Sequence, residues 1–293
     1  MKKILFIYNP VSGTGIVKRK MFEIVNFYNE NDCLVTLCPV LKLLSSPDAG
    51  NELQEYDRVV VCGGDGTLNN FLTLCSNVNF SGAVGYIPAG STNDYAATLG
   101  LPGNFEDALK TTIFGHEQAI DIGRFNGNPF LYVAAFGIFT KVVYTTPQIR
   151  KNVMGHAAYI LEGAKQLPEI QTYRLRLSLN DTIYEGNFLL GLVTNSISVG
   201  GMKNRAAIDI ELDDGLFEVL FIKAPENLIE FNNIIKALTI ESPHDCDNII
   251  MCKTSHVSVE HYETTDWTLD GEYGGSHNRT DIVIENKKFK IIV

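Results

Sequence analysis

The residues with the clearest chemical potential form a glycine-rich turn, Gly63-Gly64-Asp65-Gly66-Thr67, which directly follows the apolar run at residues 58–62. Glycine lets main-chain N–H groups approach an anionic ligand without an intervening Cβ, and a helix that begins here would direct its positive end at the same ligand. Close packing also requires glycine in many such turns, so the glycines alone leave both interpretations open. Asp65 favours a nucleotide phosphate site with Mg²⁺, because a carboxylate repels a polyphosphate unless a cation lies between them.

Two further polar loops follow predicted strands. Residues 9–13 supply a hydroxyl at Ser12 and a flexible backbone, but they lack the lysine of a P-loop. Residues 88–94 carry Ser91, Asn93 and Asp94 immediately before a helix-like segment. Asn or Asp at such a position is typical of a helix N-cap, and the capping and binding interpretations are compatible.

Additional carboxylates occur farther along the chain. Asp121 lies between Ile120 and Ile122 in a predicted strand, so its carboxylate points to the opposite face from them and is costly to bury unpaired. Asp65, Asp94 and Asp121 can therefore converge on one metal ion and its waters. The segment 209–214 contains four carboxylates, which repel one another and favour a hard cation.

Asp270-Gly271-Glu272 allows two interpretations. An Asp-Gly pair is a common hairpin corner, which would explain the motif without chemistry. The functional interpretation is a glutamate held at a turn to accept a proton from an attacking hydroxyl, as the catalytic aspartate of protein kinases does.

Alternating strands and helices must position the first three loops. Apolar runs at 3–8, 34–40, 58–62 and 83–87 predict strands, and helical spacing is present at 16–29, after the glycine-rich turn, at 95–99 and at 104–114. This order predicts a mainly parallel sheet with helices on both faces, in which ligands bind at the carboxyl ends of the strands.

After about residue 117 the pattern becomes that of antiparallel strands. Strands at 118–125 and 130–138 flank Asn126-Gly127-Asn128, and strands at 174–179 and 183–194 flank Asn180-Asp181, both of which are hairpin signals. Further strands are predicted at 216–222, 256–262 and 281–293, with helices near 153–167 and 227–238. We expect domains at 1–124 and 125–293, with the last strand able to return to the first domain and the active cleft between the two.

Composition limits the possible partners. The 293 residues carry 24 basic and 34 acidic groups, a net charge of −10, which argues against nucleic acid as the main partner. The apolar run at the N-terminus is too short for a signal sequence, and the longest mostly apolar stretch, 130–139, is about half a membrane span. We therefore expect a soluble, cytoplasmic protein. Its six cysteines lack a paired spacing, so reduced thiols are expected.

Six motifs, taken in order, resemble the diacylglycerol kinase catalytic-domain family, and especially its soluble bacterial lipid kinases. They are Asn9-Pro10-x-Ser12-Gly13, Gly63-Gly64-Asp65-Gly66-Thr67-Leu68-Asn69, Pro88-x-Gly90-Ser91-x-Asn93-Asp94, Gly200-Gly201, Asp213-Asp214-Gly215 and Asp270-Gly271-Glu272. Their order, their spacing and the chain length all agree with that family, and six ordered motifs are far more specific than any one of them.

The resemblance implies an N-terminal Rossmann-like α/β domain and a C-terminal antiparallel β-sandwich domain, with Mg·ATP bound in the cleft. It implies nucleotide contacts at Asn9, Pro10, Ser12, Gly13, Gly63, Gly64, Asp65, Gly66, Thr67, Leu68, Asn69, Asn70, Ser91 and Asn93. Asp65, Asp94 and Asp121 would organise the catalytic Mg²⁺ largely through water, with Glu272 as the general base. A second, structural Mg²⁺ would bind Glu211, Asp214 and Leu216, partly through main-chain carbonyls.

The chain departs from the family pattern in several places. Ser91 replaces a usual threonine, Asn70 replaces a common glutamate, and Cys38 falls where a nucleotide-contacting threonine is common. Residues 202–208 lack the Ala-Pro that usually precedes the acidic turn. These changes remove no core catalytic residue, but they leave room for an altered acceptor.

The expected reaction is transfer of the γ-phosphoryl group of ATP to a lipid hydroxyl, foremost the primary hydroxyl of diacylglycerol. A sphingoid base, a monoacylglycerol or a polyprenol is an alternative acceptor. NAD kinase shares the Gly-Gly-Asp-Gly turn, but its Asn-Glu-Asp motif differs from Ser91-Thr92-Asn93-Asp94. A regulator that binds nucleotide or lipid without turnover is a further alternative, although it would have no need of a general base such as Glu272.

A lipid substrate implies transient contact with a membrane surface. The interval 141–165 is locally basic, with Lys141, Arg150, Lys151 and Lys165 against Glu162, and its helical part carries apolar residues. The same pattern is typical of a solvated helix that packs one face on the core. A homodimer is compatible with the sequence, which carries no signal for oligomeric state.

Overall fold

The computed structural model describes residues 1–12, 15–78, 80–137, 171–196, 198–199, 202–203, 210–239 and 243–293. Several predictions lie outside these residues: the nucleotide contact at Gly13, the Gly200-Gly201 motif, the helix near 153–167 and the basic interval 141–165. The chain forms two compact units. Unit 1 comprises Met1–Ile120 and Lys287–Val293, and unit 2 comprises Asp121–Asn286.

Unit 1 contains the predicted parallel sheet. Its strands are β1 (Lys2–Tyr8), β2 (Cys33–Pro39), β3 (Arg58–Gly63) and β4 (Val84–Pro88), in the order β4-β3-β1-β2. All of these neighbours pair in parallel, and Ile291 and Ile292 near the chain end add a parallel pairing to β4. In β3, the side chains of Val59, Val60 and Val61 are fully buried, as expected for a strand covered on both faces.

Helices connect these strands. They are α1 (Ile16–Glu30), α2 (Val40–Leu44), α3 (Ala49–Gln54), α4 (Asp65–Asn77), α5 (Asp94–Thr98) and α6 (Phe105–Phe114). Apolar residues at helical spacing bury one face of α1 through Val17, Ile24 and Tyr28. The sequence analysis missed α2 and α3, because helices of five and six residues are too short to show a period.

Unit 2 is rich in antiparallel strands. Its described elements are β5 (Glu117–Phe125), which enters from unit 1, β6 (Asn128–Phe130), β7 (Val133–Gly137), β8 (Tyr173–Leu179), β9 (Thr182–Thr194), β10 (Ser198–Val199), β11 (Met202–Lys203), β12 (Phe217–Lys223), α7 (Leu228–Thr239), a 3₁₀ turn (Pro243–Asp245), β13 (Ile249–Thr254), β14 (His256–Leu269) and β15 (Glu272–Ile292), which returns to unit 1. The main order is β13-β12-β9-β7-β14-β15, and β8 pairs with both β9 and β14.

Aromatic packing forms the core of unit 2. Trp267 is fully buried, with its ring centroid 5.0 Å from that of Phe125 and 4.9 Å from that of Phe136. Two hairpin predictions are confirmed. Asn126 and Gly127 form the tight turn between β5 and β6 with φ of 48° and 85°, and Asn180 and Asp181 form the turn between β8 and β9 with φ of 44° and 65°.

The single strand predicted at 130–138 is wrong, because β6 ends at Phe130 and β7 begins at Val133. The main-chain amides of Leu131 and Tyr132 donate to the carboxylate of Asp270 at 2.7 and 2.9 Å. These bonds occupy main-chain amides that a continuous strand would use to pair with a neighbouring strand. The sequence analysis also missed β13 and placed shorter strands where β14 and β15 run.

A close contact between two backbones positions the loops that follow β3 and β4. A Cβ built on Gly64 would lie 3.2 Å from the Cα of Gly90, and a Cβ on Gly90 would lie 2.7 Å from the Cα of Gly64. The Ala89 amide also donates to the Gly63 carbonyl at 2.7 Å. Close packing thus requires glycine at these positions. This requirement is compatible with a second role in binding a ligand.

Replacing Gly90 with alanine tests this contact. We expect Gly90→Ala to lower the free energy of unfolding by about 1–3 kcal/mol, because its Cβ meets backbone and the Asn93 side chain, which cannot both move aside. Gly103→Ala is the matched control, since a Cβ there meets nothing within 4 Å. Thermal unfolding followed by circular dichroism would check both variants, and equal Tm values would contradict the packing role of Gly90.

Candidate active site

Asp65 lies at the start of α4, directly after the glycine-rich turn. Its Oδ2 accepts a hydrogen bond from the Asp94 amide at 2.9 Å, and its Oδ1 lies 3.2 Å from the Tyr86 hydroxyl. Burial raises the pKa of Asp65 to about 6, and the charge of Asp94 adds to the rise. The amides of Asp94 and Tyr95 and the Tyr86 hydroxyl donate to this carboxylate, but they do not offset its burial and the nearby charge of Asp94.

Asp94 is the first residue of α5 and is buried. The residue before it, Asn93, has a left-handed φ of 55° and makes no side-chain cap. Its side chain instead accepts from the Gly90 amide at 2.8 Å and donates to the Gly90 carbonyl at 3.1 Å. The capping interpretation is wrong for Asn93, because its amide group stabilises the loop that delivers Asp94 to Asp65.

Mg²⁺ fits the chemistry of this donor set. Two neighbouring carboxylates in a partly desolvated place repel each other, and carboxylate oxygens are ligands that this hard cation prefers. Within the described residues, no three His, Cys, Asp or Glu side chains are close enough to share a directly bound ion. The binding of Mg²⁺ through water, as the sequence suggested, stays a prediction.

The loop at residues 9–12 contacts the glycine-rich turn. Asn9 Nδ2 donates to Thr67 Oγ1 at 3.2 Å, and Asn9 Oδ1 accepts from the Val11 amide at 3.1 Å. The structure thereby brings together three of the predicted nucleotide-binding loops, those that follow β1, β3 and β4. Leu68 is fully buried, so its side chain packs in the interior. Ser91 and Asn70 are exposed.

Tyr86 is a site residue that the sequence analysis missed. It lies in β4 and is buried, with its hydroxyl 3.2 Å from Asp65 Oδ1 and 3.3 Å from the Gly63 carbonyl oxygen. The carboxylate is the stronger acceptor, so we assign the hydroxyl proton to Asp65. A tyrosine within an otherwise apolar strand was the available signal, because a buried tyrosine hydroxyl usually finds a polar partner.

Asp121 is fully buried in β5, as are its neighbours Ile120 and Ile122. Its carboxylate accepts from the Gly215 amide at 2.7 Å and from Asn286 Nδ2 at 3.0 Å. The acidic turn that contains Asp214 is therefore bonded directly to Asp121. A shared metal site of Asp121 with Asp65 and Asp94 stays a prediction.

The Asp270-Gly271 pair forms the turn between β14 and β15, with φ of 51° and 83°. The hairpin interpretation is therefore confirmed. The Asp270 carboxylate accepts from the main-chain amides of Leu131, Tyr132 and Val133 at 2.7, 2.9 and 3.1 Å. Glu272 is exposed and begins β15, so Asp270 anchors the turn that presents it.

Comparisons with known proteins show the family to which the chain belongs. A family model described as diacylglycerol kinase catalytic domain matches residues 3–125. The chain is 34% identical to a diacylglycerol kinase of Bacillus subtilis strain 168 over 283 residues, covering 94% of this chain and 91% of that protein. It is 30% identical to a diacylglycerol kinase of Staphylococcus epidermidis strain RP62A, covering 94% and 87%.

The fold is also similar to a crystal structure of a diacylglycerol kinase from Bacillus anthracis strain Sterne, with a TM-score of 0.72, 22% identity and coverage of 99% of this chain and 96% of that one. Together with the sequence relatives, these findings define a lipid kinase, for which ATP is the implied phosphate donor. The chain belongs to the diacylglycerol kinase family. In the described part of the chain, no helix is both long and apolar enough to span a membrane.

Tyr86→Phe tests how Asp65 is held. The hydroxyl favours the charged carboxylate, so its loss should raise the pKa of Asp65 above its present value of about 6. The acid limb of kcat/KM should then move to higher pH, because kcat/KM reports ionisations of the free enzyme.

Tyr28→Phe is the matched control, since its buried hydroxyl bonds Thr112 instead of Asp65. pH profiles of phosphoryl transfer for both variants would check the expectation. If the acid limb of kcat/KM in Tyr86→Phe lies at the same pH as in wild type, the hydrogen bond assigned between Tyr86 and Asp65 is contradicted.

Proposed function

We propose that this chain transfers the γ-phosphoryl group of ATP to the primary hydroxyl of diacylglycerol in a Mg²⁺-dependent reaction, giving phosphatidic acid. The observation that carries the proposal is the close pair of Asp65 and Asp94 at the carboxyl ends of parallel strands. Relatives named diacylglycerol kinase at 30–34% identity support this choice of acceptor.

Unit 1 is, in this proposal, the Rossmann-like nucleotide-binding domain, and unit 2 is the β-sandwich domain that serves the lipid. The loops joined by the Asn9–Thr67 hydrogen bond and by the close contact of Gly64 with Gly90 hold the nucleotide with main-chain N–H groups. Such fixed donors need no rearrangement as charge develops on the transferring group, which is how most phosphoryl transferases obtain their rate.

The carboxylates of Asp65, Asp94 and Asp121 hold Mg²⁺ in this proposal, largely through its waters. When bound, Mg²⁺ neutralises charge on the phosphoryl oxygens. The raised pKa of Asp65, about 6, supports this role, because a cation would offset both the burial of this carboxylate and its repulsion from Asp94.

Glu272 is the proposed general base. Its carboxylate takes the proton of the acceptor hydroxyl as the hydroxyl oxygen bonds to the γ-phosphorus and ADP leaves. The support is positional. Three hydrogen bonds from main-chain amides to Asp270 fix the turn, and Glu272 is exposed on this turn, where an acceptor can reach its carboxylate. A general base within hydrogen-bond reach of its proton contributes about 10²–10⁴-fold to a rate.

Substitution of the two proposed catalytic acids tests the assignment. We expect Glu272→Ala to lower kcat by about 10²–10⁴-fold, and Asp65→Ala to abolish most transfer, with both proteins remaining folded. Transfer of labelled phosphate from ATP to diacylglycerol in mixed micelles is the measurement. Glu263→Ala is the matched control, because Glu263 is likewise an exposed glutamate on a strand of unit 2.

The acceptor is tested by offering wild-type protein a panel of diacylglycerol, monoacylglycerol, a sphingoid base, a polyprenol and NAD. Transfer mainly to diacylglycerol is the expected result. Faster transfer to another lipid would identify that lipid as the acceptor, and transfer to none would favour the non-catalytic regulator.

For the alanine variants, turnover close to wild type in Glu272→Ala or Asp65→Ala would refute the role assigned to that residue.

A further inference from the structure

Lys253 lies between two carboxylates of unit 2. Its Nζ is 3.1 Å from Asp214 Oδ2 and 3.3 Å from Glu218 Oε1. Lys253 and Glu218 are directly paired residues of the antiparallel strands β12 and β13, so the strand register fixes this arrangement. The acids are well shielded, with side-chain exposures of 17% for Asp214 and 10% for Glu218.

The position is one that the family resemblance gives to a structural Mg²⁺ bound by Glu211, Asp214 and Leu216. The residues here do not fit that ion. Asp214 Oδ1 accepts from the Leu216 amide at 2.9 Å, and Oδ2 is the oxygen that bonds Lys253. Glu211 is exposed. A divalent cation at Asp214 would sit beside an ammonium group, and like charges so close repel strongly in a shielded place.

The acidic turn that contains Asp214 has a structural task. The Gly215 amide donates to Asp121 Oδ2 at 2.7 Å, and Asn286 bridges Asp121 Oδ1 and the Asp213 carbonyl at 3.0 Å each. Gly215 has a φ of 77°, a conformation that favours glycine. Whatever neutralises Asp214 therefore stabilises the turn that holds Asp121.

We propose that the Lys253 ammonium is the built-in cation of this acidic turn and makes the turn independent of a divalent metal ion. In this proposal, the Lys253 ammonium takes the place of the hard cation that the carboxylates of 209–214 led us to predict. Lys253 is a positioning residue, because it acts on Asp121 through Asp214 and the Gly215 amide. This inference does not depend on the acceptor or on phosphoryl transfer.

Thermal unfolding of the full chain without nucleotide tests the proposal. Tm is measured in EDTA and in millimolar MgCl₂ at matched ionic strength. MgCl₂ should change the Tm of wild-type protein and of Asp214→Asn by the same amount, because no ion binds at Asp214. Lys253→Met should lower Tm in EDTA by about 2–6 °C, and MgCl₂ should restore part of that loss, because the vacated site then accepts the ion.

Two further variants assign the effect. Lys253→Arg keeps the charge and should remain indifferent to MgCl₂, and the double variant Lys253→Met/Asp214→Asn should lose the restoration. The proposal is overturned if wild-type Tm rises with MgCl₂ and Asp214→Asn removes the rise, or if Lys253→Met is as stable as wild type in EDTA. Should Lys253→Met fail to fold, the wild-type and Asp214→Asn comparison alone decides.

Discussion

The first unit is organised around a contact between two backbones. Gly64 and Gly90 lie so close that a Cβ on Gly90 would be only 2.7 Å from the Cα of Gly64. Gly64 lies directly before α4, and the main chain of Gly90 is hydrogen-bonded to the side chain of Asn93, the residue before α5. The contact between the two glycines therefore brings Asp65 and Asp94 side by side. Partial burial and a neighbouring charge then raise the pKa of Asp65 to about 6. The raised pKa of Asp65 thus follows from how the two loops pack.

Three acids of the chain differ mainly in what compensates their charge. Asp270 receives three main-chain amides, and Asp214 receives an amide and the Lys253 ammonium. Asp65 also receives three donors, the amides of Asp94 and Tyr95 and the Tyr86 hydroxyl, but it is buried beside a second carboxylate and its pKa stays raised. Asp270 and Asp214 have their charge compensated within the protein and act as structural anchors. Asp65 would gain from an added cation, and this is why we propose it, with Asp94, as the metal-binding pair.

Local sequence signals predicted much of the fold and the motifs of the site. Apolar runs separated by helical spacing gave the parallel strands, and Asn126-Gly127 gave a hairpin, because both depend on neighbours in the chain. Tyr86 and Lys253 escaped prediction because their partners depend on tertiary register: Lys253 is 39 residues from Asp214. The same cause hid the break between β6 and β7, since Asp270 lies 139 residues from Leu131, whose amide it binds.

The central claim is that the Asp65 and Asp94 pair binds the metal ion of a phosphoryl-transfer site. Anomalous scattering from crystals grown with Mn²⁺ and a non-hydrolysable ATP analogue tests it most directly. The account predicts a Mn²⁺ peak joined through water to these carboxylates, with the analogue phosphates at the Gly64 turn, and no peak beside Asp214. Phosphates bound elsewhere, or Mn²⁺ beside Asp214 with none near Asp65, would contradict the account.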